Sequence, residues 1–180
     1  MHIVIAGAAR SGKTTLSRML KDKGFIHYKM DSIKRGVCKY FDIKTVYWTD
    51  FSKGVCSIVK QVMDDEFEDN IIFDTPHICV TDSVDLVRDD TIVLFLGYDH
   101  MDFDTFLDNV SKYDQNTWVG KLSMNELKEL FDDSVKFSKD NREECLKYNI
   151  KYFDVSENRD EVLNDACSYV LDMLKENNNV

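Results

Sequence analysis

At 180 residues, 43% apolar and with a single proline, the chain has the size and core material of one α/β domain and needs no disulfide or metal staple to fold. A formal charge of −10 excludes a general nucleic-acid or membrane-surface binder, which needs a basic excess, but leaves room for a locally basic pocket. Five scattered cysteines (Cys38, Cys56, Cys79, Cys145 and Cys167), never in C-x-x-C spacing, read as free thiols of a reducing compartment. With no basic region ahead of the short apolar start and no stretch of membrane-spanning length, the expected location is the cytoplasm.

Residues 2–6 are a β-branched apolar run, the mark of a strand buried on both faces. Residues 13–23 then read as a helix, with Leu16, Met19 and Leu20 on one side and Gly24 as its stop. Residues 25–30 form a second strand candidate. From Asp31 the pattern turns helical, placing Ile33, Val37, Tyr40 and Phe41 on one face. After a loop over 42–50 a longer amphipathic helix carries the stripe Phe51, Val55, Ile58, Val59, Val62 and Met63. The acidic run Asp64-Asp65-Glu66, with Glu68-Asp69 behind it, reads as a solvated helix end.

Residues 71–74 are the next strand, closed by Thr75-Pro76, and residues 91–96 (TIVLFL) are the clearest strand of all. Beyond it the chain is mostly helical. Ser123 and Glu126 make a capping-box pair ahead of Leu127, Leu130 and Phe131. Residues 151–155 form a last strand. Asn158 and Glu161 open a final helix carrying Val162, Leu163, Ala166, Val170, Leu171 and Leu174, and the last five residues read as a frayed tail. Strands alternating with helices, with no repeat or linker, predict a single three-layer α/β/α domain over 1–180 with a parallel five-stranded sheet.

Chemistry concentrates first at Gly7-Ala8-Ala9-Arg10-Ser11-Gly12-Lys13-Thr14, which matches G-x-x-x-x-G-K-[ST]. The glycines allow a tight turn whose N–H groups point at phosphate oxygens; Lys13 reaches the β and γ phosphates, and the Thr14 hydroxyl can ligate magnesium. A helix starting at Lys13 adds its positive end to the same anion, so the nucleotide-binding set runs from Gly7 to Thr15. A strand leads into the motif and a helix leaves it, as this mechanism requires. Neither a D-x-x-G switch nor an N-K-x-D guanine reader follows, which removes the Ras-like GTPases.

In this motif and layout the chain resembles the nucleoside monophosphate kinase-like group of small P-loop kinases, which includes adenylate, shikimate and gluconate kinases. The resemblance implies ATP and Mg²⁺ as cofactors and a small acceptor: a nucleotide, sugar acid or hydroxy acid. It further implies an acidic residue followed by bases after the second strand, where Asp31, Lys34 and Arg35 stand. Asp31 is the candidate base for an acceptor hydroxyl, or a helix cap; Lys34 and Arg35 are candidate anion ligands, or solvated bases. Asp74, ending a strand at its carboxyl edge, is the expected Walker B-type partner of the metal, and His77 stands close enough in sequence to line the same pocket.

Relatives also bring lid arginines to the migrating phosphate. Here residues 97–120 hold no arginine and are rich in aspartate (Asp99, Asp102, Asp104, Asp108), so Arg142, one face with Lys139, is the nearest candidate within a lid region of about 97–142. The stretch from Asp99 through His100 to Asp104 hints at metal binding but lacks the glycine and distal glutamate of an EF-hand. Arg159, just before the last helix, resembles the position of a base-stacking cation. The acceptor segment is expected over about 31–69. Trp48 and Trp118 fall in the two expected mobile regions. The competing expectation is a nucleotide-binding regulatory protein or slow NTPase without a small acceptor. A nucleic-acid-end kinase is disfavoured by the charge, and no feature sets an oligomeric state.

Overall fold

The computed structural model describes residues 1–40, 48–65 and 70–178. β1 (His2–Gly7) leads into α1 (Lys13–Lys21), β2 (Ile26–Lys29), α2 (Met30–Tyr40), α3 (Trp48–Asp64), β3 (Ile71–Asp74) and the single-turn α4 (Val80–Ser83). β4 (Thr91–Gly97), α5 (Phe103–Tyr113), α6 (Met124–Tyr148), β5 (Lys151–Asp154) and α7 (Arg159–Asn178) complete the chain. All strand pairs are parallel, in the order β2-β3-β1-β4-β5. Five parallel strands covered by helices agree with the sequence expectation, with boundaries shifted by one or two residues.

Alternation along the central strands divides the core in two. Ile3, Ile5, Ile72, Leu94 and Leu96 face Leu16 and Leu20 of α1, Phe106 and Val110 of α5, Phe131 of α6 and Val170 of α7. Val4, Ala6, Phe73, Val93 and Phe95 face the other way, onto Val55, Val59 and Met63 of α3. A strand buried on both faces must be apolar at every position, and β1 and β4 are buried throughout. The edge strands are less buried: β2 is four residues with Ile26, Tyr28 and Lys29 exposed, and no residue of β5 is fully buried.

Caps follow the sequence where it is explicit. Ser123 and Glu126 make both bonds of a capping box on α6, whose 25 residues run unbroken to Asn149 in the left-handed conformation. α5 starts in the aspartate-rich stretch because the Asp102 carboxylate accepts the Thr105 N–H. Asp64 is not a merely solvated residue: it pairs with Arg88 at 2.7 Å. Glu66, Glu68, Asp69, most of the 42–50 loop and the end of the tail lie outside the described residues, as does the side chain of Trp48.

On the predicted apolar face of α2, Ile33, Val37 and Tyr40 are exposed, Tyr40 at 83%, and Phe41 lies outside the described residues. No helix among the described residues is long and apolar enough to cross a membrane.

Candidate active site

Sterics make the loop after β1 a cradle. Gly7 has φ +123°, and a Cβ there would lie 1.9 Å from the Leu96 carbonyl oxygen of the neighbouring strand. Gly12 has φ +96°, and a Cβ would crowd Leu163 at 2.9 Å and Arg159 at 3.2 Å. The Ala8 N–H donates to Leu96 O, and the Tyr98 hydroxyl donates to Ala9 O at 2.7 Å, so β4 holds the loop from two sides.

Gly12 caps α1 without a side-chain bond, and the first turn carries no acid, which leaves the helix N-terminus open to an anion. The Ser11 hydroxyl is buried without a partner. Lys13 is buried, its ammonium turned back onto Ala8 O; burial lowers its pKa to about 8, against the attraction of Asp74. A buried cation, an orphaned hydroxyl and an uncapped helix end fit a phosphate chain.

At the end of β3, Asp74 lies beside this cradle. Thr14 Oγ1 donates to Asp74 Oδ2 at 2.7 Å, and His27 Nε2 contacts the same oxygen at 3.3 Å. Burial pushes the Asp74 pKa up, but the His27 bond, the Lys13 charge and the Thr14 bond together hold it below the usual carboxylate range. An alcohol oxygen next to an ionised carboxylate is an oxygen-ligand pair suited to Mg²⁺.

Five side chains converge beyond Asp74. His77 Nε2 meets Asp31 Oδ1 at 3.3 Å, and Arg35 lies 3.6 Å from Asp31 Oδ2. Phe51 packs edge-on to the His77 ring, and Lys34 sits 4.5 Å above the Phe51 ring. Burial, then the Lys34 charge, lowers the His77 pKa to about 4, although Asp31 opposes the shift. His77 is therefore neutral at pH 7. Asp31 with Lys34, Arg35 and His77 thus forms one cluster at the carboxyl edge of the sheet, in which Arg35 is already engaged by Asp31.

The remaining arginines divide. Arg10, at φ +66°, pairs with Asp114 at 3.0 Å, donates to Thr117 Oγ1 at 2.8 Å and lies 5.8 Å from the centroid of the Trp118 ring. Trp118 is 57% exposed, and Val119 next to it is buried, anchoring this turn between α5 and α6. Arg159 stacks 4.2 Å over Tyr113 and reaches Thr15 Oγ1 at 3.3 Å, so it too borders the cradle.

Arg142 is engaged by carboxylates: its guanidinium lies 2.7 Å from Asp99, just beyond β4, and 3.8 Å from Asp154, at the end of β5. His100 joins this cluster at 2.8 Å from Asp154, so that Asp99, His100 and Asp154 bring possible ligand atoms within 4.8 Å of one another, with Arg142 paired to both carboxylates. Sequence reasoning missed His27, the contact of Phe51 with His77 and the pairing of Arg10 with Asp114 and Thr117. The one available signal for His27 is an imidazole at an inward position of a strand.

No protein-family model and no curated protein sequence matches the chain. Solved structures do. A gluconokinase from Sinorhizobium meliloti superposes with a TM-score of 0.61 at 14% identity, covering 99% of this chain and 94% of that one. A shikimate kinase from Aquifex aeolicus gives 0.53 at 19% identity, covering 98% of each chain. A deoxyadenosine kinase from M. mycoides gives 0.52 at 18% identity, covering 96% of this chain and all of that one. The fold is therefore that of the small P-loop kinases, over the whole length of the chain.

Proposed function

We propose that this protein is a phosphotransferase that moves the γ-phosphate of ATP to a small acceptor, with Mg²⁺ as its metal. The observation that carries the reading is the meeting, at one edge of the sheet, of the cradle with its Thr14–Asp74 pair and a separate Asp31–His77 pair. A pure hydrolase or sensor has no use for the second carboxylate. The kinases among the fold's neighbours support the same class.

Lys13 and the cradle amides bind the β and γ phosphates, while Arg10 and Arg159 border them. Thr14 directly, and Asp74 through water, would hold Mg²⁺, which when bound neutralises charge developing on the phosphate oxygens. His77 donates its Nε2 hydrogen to Asp31 and keeps that carboxylate oriented. Asp31 takes the acceptor hydroxyl proton as the hydroxyl oxygen bonds to the γ phosphorus; the bond to the bridging oxygen breaks and ADP leaves. Lys34, which pairs with no carboxylate among the described residues, takes an anionic group of the acceptor. The segment from Asp31 through α3 is the acceptor lobe, and the 114–121 turn tied to Arg10 is the lid.

The test is ADP release from ATP and Mg²⁺, measured over panels of nucleotides, sugar acids and hydroxy acids. Stimulation by one panel, absent in Lys13→Ala, is the expected result. Slow ADP release that no panel stimulates would replace the reading with that of a nucleotide-binding regulator.

A further inference from the structure

β2 brings a side chain up to Asp74 that the functional reading does not require. His27 pairs across to Ile72 in the parallel register, and Lys29 pairs with Asp74. His27 and Asp74 thus rise on the α1 side of adjacent strands. The imidazole is 13% exposed and the Asp74 carboxylate 4% exposed, so the contact between them is shielded from water.

A carboxylate oxygen that already receives the Thr14 hydroxyl is an acceptor, so the His27 Nε2 facing it carries the hydrogen and donates it. Its target is Oδ2, the oxygen that also accepts the Thr14 hydroxyl. Two donors from two elements, α1 and β2, therefore converge on one oxygen. A carboxylate with one donor still rotates about its Cβ–Cγ bond; the second donor fixes its plane. Among the described residues Oδ1 receives no protein donor, and it is the atom left for the hydration shell of a cation.

We propose that His27 is a positioning residue: by fixing Oδ2 of Asp74 it presents Oδ1 to the metal and so sets how strongly Mg²⁺ and nucleotide reinforce each other's binding. The proposal rests on Thr14 and Asp74 being the metal-holding pair. Groups that orient a metal's ligands change metal affinity by about 10- to 100-fold when removed, although they never touch the ion.

The experiment is calorimetric titration of the whole protein with ADP, with and without Mg²⁺. The ratio of the two affinities measures metal–nucleotide coupling without any turnover. His27→Ala is expected to leave ADP binding without Mg²⁺ unchanged and to lower the coupling ratio about tenfold. His27→Gln, whose amide nitrogen donates at similar reach, is expected to recover most of the ratio.

Equal weakening with and without Mg²⁺ would make His27 a packing residue and overturn the proposal, as would an unchanged ratio in His27→Ala. Asp74→Asn separates the two levels. It should abolish the coupling; if it leaves the coupling whole, the metal pair itself is misassigned and the role of His27 falls with it. Should His27→Ala not fold, His27→Gln and His27→Phe carry the same comparison, donor against no donor.

Discussion

Cradle groups are tied to neighbouring strands and to the turn after α5, whereas the acceptor-side carboxylate and bases hang on α2, with contacts from one loop and from Phe51 of α3. Gly7 lies against Leu96, Ala9 is bonded by Tyr98, Asp74 is shared by Thr14 and His27, and Arg10 is gripped by Asp114 and Thr117. Asp31, Lys34 and Arg35 belong to a helix whose one buried residue is Met30. Phosphate geometry is the same for every nucleotide triphosphate, so a rigid cradle loses nothing. Acceptors differ in shape, and a lightly packed helix accommodates them at lower cost.

The sharpest way to break this comparison is to damage each side alone. Asp31→Asn should lower turnover by about 10²–10⁴-fold while ATP affinity stays within about twofold, read by a coupled assay beside equilibrium titration. A parallel loss of ATP affinity would show that the two sides are not separate.

The donor side should carry its own pH signature. Lys13 loses its proton near pH 8 in the free protein, and phosphate binding favours the charged form. ATP affinity should therefore be flat below pH 8 and fall by up to about tenfold per pH unit above it. Lys13→Arg should remove that inflection, and titration of ATP from pH 7 to 9.5 checks both.

On the acceptor side the signature lies in stability. The pKa of His77 is lowered to about 4 in the fold from the ordinary 6.5, so unfolding takes up a proton between those values. Stability from this group is fully present above about pH 6.5 and is lost as pH falls towards 4, with a slope of up to about 1.4 kcal/mol per pH unit. Denaturant melts of the wild type against His77→Gln should differ in slope in that window and converge above it.

The smallest effect concerns α2 itself. Gly36 is helical, and an added Cβ meets nothing within 4 Å, so Gly36→Ala should stabilise the protein by about 0.5–1 kcal/mol in thermal melts. If this stiffening leaves acceptor KM unchanged, softness of α2 is not part of its function.

Legibility in the sequence follows the same division. The cradle is local: eight consecutive residues carry its geometry, and the strand and helix around them are strongly patterned. Asp74 was readable because three apolar residues precede it. His27 and Asp74 are 47 residues apart, and Arg10 and Thr117 are 107 apart, so only the folded sheet brings them together. Helical spacing places Arg142 and Lys139 on one face but not which neighbours that face meets; Asp99 and Asp154 supply the answer. The aspartates at 99–104 lack the pattern of an EF-hand, and only the fold shows what they do: Asp102 caps a helix and Asp99 pairs with Arg142.

One consequence of the sheet order concerns cooperativity. β2 is four residues long and lies at the edge, bonded on one side only, and α2 begins at the next residue with no loop between them. Detachment of that strand from β3 would withdraw the His27 contact and carry Asp31 away in the same excursion. On the proposed reading, metal alignment and acceptor recognition would be parts of one small unit of local unfolding, whose amide exchange should be faster than that of β1 and slowed by any ligand that engages either half.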